Sequence, residues 1–202
     1  RLGAIVLREE RANIVGRDAV CRRIIDDFAA GDQRLVDPRR FGKTSLLERL
    51  PLVVGKHVTV VTIDFQGCTL GDEFYGRLID GLGRHARFGN RFRRFARAFV
   101  ESVEVGAEVE GVVFKSSVSQ LNKLDVLTRI FDSLREKLPD REMLVIACDE
   151  VPMAIEAIMN ARGETEARSV MHTMRRLRLQ RSHVRWLITG SVGFPHIVRL
   201  IG

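Results

Sequence analysis

Residues 36–50 read VDPRRFGKTSLLERL. From Asp37 to Thr44 the segment follows the phosphate-loop pattern G-x-x-x-x-G-K-[ST] at Gly42, Lys43 and Thr44, and departs from it at the first position, where Asp37 replaces glycine. Each matching residue type has a physical task. Gly42 lets backbone amides curl toward a β-phosphate, Lys43 can bridge β- and γ-oxygens, and the Thr44 hydroxyl can bind Mg²⁺ at a helix N-terminus.

The departure at Asp37 weighs on charge more than on shape. A residue before Pro38 is pushed to extended geometry, which aspartate adopts without strain. A carboxylate about 4 Å from a phosphate charge costs about 1 kcal/mol in a water-like dielectric and about 4 kcal/mol at an effective dielectric of 20. Arg39, Arg40 and Lys43 oppose that repulsion, so the loop is expected to bind nucleotide with lowered affinity.

The surrounding sequence has the order such a loop needs. Val20, Ile24, Ile25 and Phe28 recur at helical spacing before Gly31, a short strand is expected over 34–36, and KTSLLERL has helix-forming composition. HVTVVTIDF (57–65), EMLVIACDE (142–150) and VRWLITGS (184–191) are apolar and rich in β-branched residues, as expected of strands covered on both faces. Helices are expected at 69–86 (with Phe74, Leu78 and Leu82 on one face), 121–138, 151–160 and 165–180. The alternation over 103–118 about Gly111 suggests an inserted β-hairpin. Strands alternating with helices imply an α/β fold, a mostly parallel sheet flanked by helices in three layers.

The chain of 202 residues suits one domain over 1–202. It begins at Arg1, not Met, and is expected to be a piece of a longer protein. No apolar run approaches the roughly 18 residues of a membrane span, which argues against a membrane partner. Cys21, Cys68 and Cys148 have no paired spacing, so neither a disulfide framework nor a zinc site is expected, and a reducing cytoplasmic setting is. The net charge of +7 favours an anionic partner: nucleotide, nucleic acid or an acidic protein surface.

Two carboxylates, Asp149 and Glu150, end the strand at 142–150. At the end of a buried strand they need a reason, and a metal-bound phosphate supplies one: Asp149 would hold Mg²⁺ through water and Glu150 would polarise the attacking water. Thr189 and Ser191 end the next strand, where a hydroxyl could contact a γ-phosphate or that water.

Together IVGRD (14–18), DPRRFGKTSLL (37–47), LVIACDE (144–150) and LITGSVG (187–193) resemble the nucleotide-binding core of bacterial and archaeal P-loop ATPases of the AAA+/STAND group, in which GPRRxGKTSLL is a frequent form of the loop. The resemblance implies a P-loop NTPase core with Val15, Gly16 and Arg17 near an adenine. It also implies phosphates cradled by Pro38, Arg39, Arg40, Phe41, Gly42, Lys43, Thr44 and Ser45, and a metal served by Thr44 and Asp149. Glu150 and Lys43 would be catalytic, with Thr189 or Ser191 as the sensor. The helical lid and winged-helix segments of the group are not recognised within 1–202, and the sensor strand lacks the arginine that some members place after it.

Two arginine-rich stretches remain. Over 84–99, Phe88, Phe92, Phe95 and Phe99 fall on one helical face and Arg84, Arg87, Arg91 and Arg94 on the other. Residues 174–185 carry Arg175, Arg176, Arg178, Arg181 and Arg185. Both fit solvated helix faces, and both fit a surface for DNA phosphates. By the resemblance, Arg181 and Arg185 are also candidates to reach a neighbouring subunit's γ-phosphate. The functional expectation is an ATPase that uses ATP and Mg²⁺ to drive a conformational switch, with self-association or partner domains reading its state. Two alternatives stay open: a nucleotide-binding scaffold with weakened or lost hydrolysis, and a DNA-binding ATPase module.

Overall fold

A computed structural model describes residues 17–35, 42–84, 127, 128, 130–132, 134, 138, 142–179, 184–190 and 197, together with the backbone of 3–5 and 36. The expectations for Val15, Gly16, Asp37, Pro38, Arg39, Arg40, Phe41, Ser191, the 103–118 hairpin, Arg181 and the arginine stretch beyond Arg84 lie outside the described residues.

Five strands, β1 (Gly3–Ile5), β2 (Gln33–Val36), β3 (Val58–Asp64), β4 (Met143–Asp149) and β5 (Val184–Gly190), form one sheet in the order β1-β2-β5-β4-β3. Every pairing is parallel. The labelled helices are α1 (Asp18–Asp27), α2 (Lys43–Val53), α3 (Gly71–Arg84), α4 (Val151–Arg162) and α5 (Glu164–Leu179). Residues 127, 128, 130–132 and 134 are also helical. Among the described residues no helix is long and apolar enough to cross a membrane.

Side chains alternate along each strand and so build two cores. In β4, Val145 and Ala147 pack with Leu187 of β5 against Cys21, Ile24 and Phe28 of α1 and Leu46, Leu47 and Leu50 of α2. Leu144, Ile146 and Cys148 point the other way, with Trp186 and Ile188, toward α3, α4, α5 and Phe131. Trp186 stacks on Phe131 with ring centroids 5.7 Å apart. The result is the three-layer α/β arrangement expected, consistent with a P-loop NTPase core.

The strand order explains which helices cover which face. The chain runs from β1 through β2 to the far edge at β3 with α1 and α2 on one face, then returns through β4 to β5 with α3, α4 and α5 on the other. Right-handed crossovers demand that change of face when the direction reverses. The reversal leaves the carboxyl ends of β2, β5 and β4 side by side. In open parallel sheets, ligands bind at such a switch point.

Candidate functional site

Three chain segments far apart in sequence meet at this edge. Gly42 is the N-cap of α2 and adopts a left-handed backbone, φ 75° and ψ 34°. A side chain there would be strained, and a Cβ would run into the Arg17 guanidinium. Arg17 itself donates from Nη1 to the Gly42 carbonyl. Arg17, expected near an adenine, thus touches the end of the phosphate-loop segment. The first turn of α1 is tied to α2 by an Arg49 Nε to Asp18 Oδ1 pair at 2.9 Å, and that hydrogen bond holds the Asp18 carboxyl below its ordinary range.

Lys43 opens α2 and is 5% exposed. A lysine at this position can offer its ammonium to an anion bound at the helix N-terminus. Thr44 and Ser45 follow on the first turn and are exposed.

The carboxylate of Asp149, 5% exposed, sits between two hydroxyls. Thr44 Oγ1 donates to its Oδ2 at 2.8 Å, and Thr189 Oγ1 donates to its Oδ1. The backbone amide of Glu150 also reaches Oδ1, at 3.1 Å. Asp149 and Thr189 belong to the row of alternating residues that faces α2, because Ala147 of β4 and Leu187 of β5 face the same core. The register that sets Cys148 opposite Ile188 brings the next residues, Asp149 and Thr189, side by side.

Glu150 is the positive-φ non-glycine residue of the described chain, at φ 54° and ψ 31°, and is the N-cap of α4. Holding a branched-off side chain in this region costs of order 1–3 kcal/mol, a strain that clusters at functional sites. Directly beyond it, Pro152 enters the first turn of α4 and packs on Gly190 at the end of β5.

The donor set suits a hard divalent cation. The 2.8 Å bond from Thr44 Oγ1 to Asp149 Oδ2 sets a hydroxyl that could ligate such an ion beside a carboxylate that could hold one of its waters. No cluster of three or more His, Cys, Asp or Glu side chains is formed among the described residues. Mg²⁺ requires none, since one carboxylate with water and substrate phosphates suffices.

Two features were not anticipated from sequence. Asp64, at the end of β3, pairs in register with Asp149, and its Oδ1 accepts the Gln66 amide at 2.8 Å. Arg178 and Arg185, expected on an arginine-rich surface, are instead tied into the opposite edge of the sheet. Arg178 Nε pairs with Asp32 Oδ2 at 2.9 Å, and Arg185 Nε donates to the Phe28 carbonyl at 2.8 Å. Arg175 and Arg176 remain exposed on α5.

No family model matches the chain, and no curated protein does. Two solved structures of the Aeropyrum pernix ORC2 protein are similar to it. The ADPNP-ADP complexes match with a TM-score of 0.48 and 14% identity, over 96% of this chain and 49% of that one. The ADP form matches with a TM-score of 0.47 and 13% identity, over 98% and 48% respectively. The chain thus spans about half the length of these structures.

Proposed function

We propose that this chain binds ATP with Mg²⁺ at the carboxyl ends of β2, β4 and β5 and hydrolyses it, as the nucleotide-binding core of a P-loop ATPase of the AAA+/STAND type. The observation that carries this is the 2.8 Å bond from the Thr44 hydroxyl to Asp149. It joins the two residues expected to serve a Mg²⁺ site, a hydroxyl at the first turn of α2 and a carboxylate at the end of a buried strand, near the buried Lys43.

In this reading Lys43 neutralises the β- and γ-phosphate oxygens, and the amides at the start of α2 add their aligned dipoles. Thr44 and Asp149 are the residues that would hold Mg²⁺, Thr44 directly and Asp149 through water. When bound, Mg²⁺ supplies charge neutralisation for the phosphate oxygens. Glu150 accepts a proton from a water, whose oxygen bonds to the γ-phosphorus as the bond to the β-phosphate oxygen breaks and ADP leaves; Glu150 then returns the proton to solvent. The left-handed backbone of Glu150 lies between β4 and Pro152, which sets the direction in which its side chain leaves the chain.

Asp37 favours a slower variant of the same function. Its charge lowers nucleotide affinity, and the alternative it favours is a nucleotide-binding scaffold with weakened hydrolysis. Hydrolysis would serve as a switch, with partner domains or a second copy reading the bound state.

Calorimetric titration of Mg-ATP, paired with phosphate release, tests this on the wild type and on Lys43→Ala, Glu150→Gln and Asp37→Gly. Lys43→Ala is expected to lose binding, Glu150→Gln to bind without turnover, and Asp37→Gly to bind about tenfold more tightly. Equal phosphate release from wild type, Lys43→Ala and Glu150→Gln overturns the ATPase assignment.

A further inference from the structure

Building on the nucleotide site proposed above, we infer that Thr189 is a positioning residue for Asp149, and that its hydroxyl acts on the metal site through that carboxylate instead of contacting the γ-phosphate. The two hydroxyls that flank Asp149 differ in surroundings. Thr44 is exposed at the first turn of α2, whereas Thr189 is 1% exposed. Oδ2 with Thr44 is therefore the ligand-facing side of the carboxylate, and Oδ1 with Thr189 is its anchored side.

A hydroxyl has a single proton to donate, and that of Thr189 goes to Asp149. The end of β5 leaves it little freedom to do otherwise. Thr189 pairs in register with Leu35 of β2, and the following Gly190 lies so close to the Pro152 ring that a Cβ would come within 2.5 Å of it. Strand β5 is thus wedged between the loop strand and the start of α4. A buried donor on a wedged strand holds the carboxylate in one rotamer, so that Oδ2 stays within hydrogen-bond reach of Thr44. Such outer partners of a metal ligand commonly govern 10–100-fold in metal affinity.

The test compares the full chain with Thr189→Val, which keeps the shape and removes the donor, and with the pair Thr189→Ser and Thr189→Ala, which separates the hydroxyl from the methyl. A non-hydrolysable ATP analogue is titrated with Mg²⁺ and again in chelator, and folding is checked by circular dichroism melts. The gain in affinity on adding Mg²⁺ is expected to fall about tenfold in Thr189→Val and Thr189→Ala and to be restored in Thr189→Ser. If Thr189→Val does not fold, the Ser and Ala variants carry the comparison. A metal-dependent gain equal in wild type, Val and Ala overturns the positioning role while leaving the nucleotide site intact. A similar loss of affinity with and without Mg²⁺ overturns it as well, because that pattern marks direct nucleotide contact or general damage. No analogue binding by the wild type in either condition overturns the nucleotide site itself, and this inference with it.

Discussion

Gly190 and Pro152 are packed so that a Cβ built on the glycine would lie 2.5 Å from both Cγ and Cδ of the proline ring. The contact joins the end of β5 to the first turn of α4, and neither partner can yield easily: one is central-strand backbone and the other a rigid ring. Gly190→Ala is expected to destabilise the fold by about 1–3 kcal/mol, the usual range for overpacking. Urea denaturation checks this, and a loss below about 0.5 kcal/mol would mean that the ring moves aside.

Glu150 offers a separable prediction because its backbone is left-handed whatever side chain it carries. Glu150→Gly and Glu150→Ala both remove the carboxylate, and only glycine relieves the strain. The glycine variant is expected to be more stable than the alanine variant by about 1 kcal/mol, with turnover lost in both. Equal melting temperatures would contradict the strained conformation.

At the opposite edge of the sheet, Asp32 accepts two bonds at 2.9 Å, from the Trp186 amide and from Arg178 Nε. Asp32→Ala strands both donors and is expected to cost about 3 kcal/mol. Asp32→Asn retains an acceptor and costs less. Nucleotide affinity is expected to change little in either variant, since this network lies at the amino ends of the strands.

Alkaline pH is expected to loosen the fold through its buried thiols. Burial raises the Cys68 thiol from its ordinary 9.0 to about 11 and pushes Cys148 higher still. Below pH 9 these groups are neutral in both states. Between about 9 and about 11 the unfolded chain releases protons that the folded chain keeps, so stability falls as pH rises through that window. Denaturation midpoints at pH 8 and pH 10 measure the drop. Cys68→Ala is expected to reduce it, and an unchanged drop would place its source elsewhere.

Much of this structure was legible in the sequence for a simple reason. Residues 144–148 and 186–188 form continuous apolar runs, and only strands covered on both faces need such runs. Carboxylates and a hydroxyl at the ends of those runs then marked one edge of the sheet. What stayed hidden depends on register and on contacts between distant segments. Strand β1 is three residues long and carries no period to read. The bond from Thr189 to Asp149 follows from the alignment of β4 with β5, which no local pattern encodes. Arg178 and Arg185 read as surface charge because their partners, Asp32 and the Phe28 carbonyl, lie more than a hundred positions away.

Strand β5 is the last of the five in the chain, yet it stands at the centre of the sheet. Until it inserts, β2 and β4 have no ladder between them, and the Thr44 and Asp149 side chains have nothing to hold them at bonding distance. The bonding distance between Thr44 and Asp149 therefore depends on a strand to which neither residue belongs. A chain interrupted before residue 184 would carry the phosphate-loop segment and both carboxylates in its sequence and still lack the sheet that brings them together.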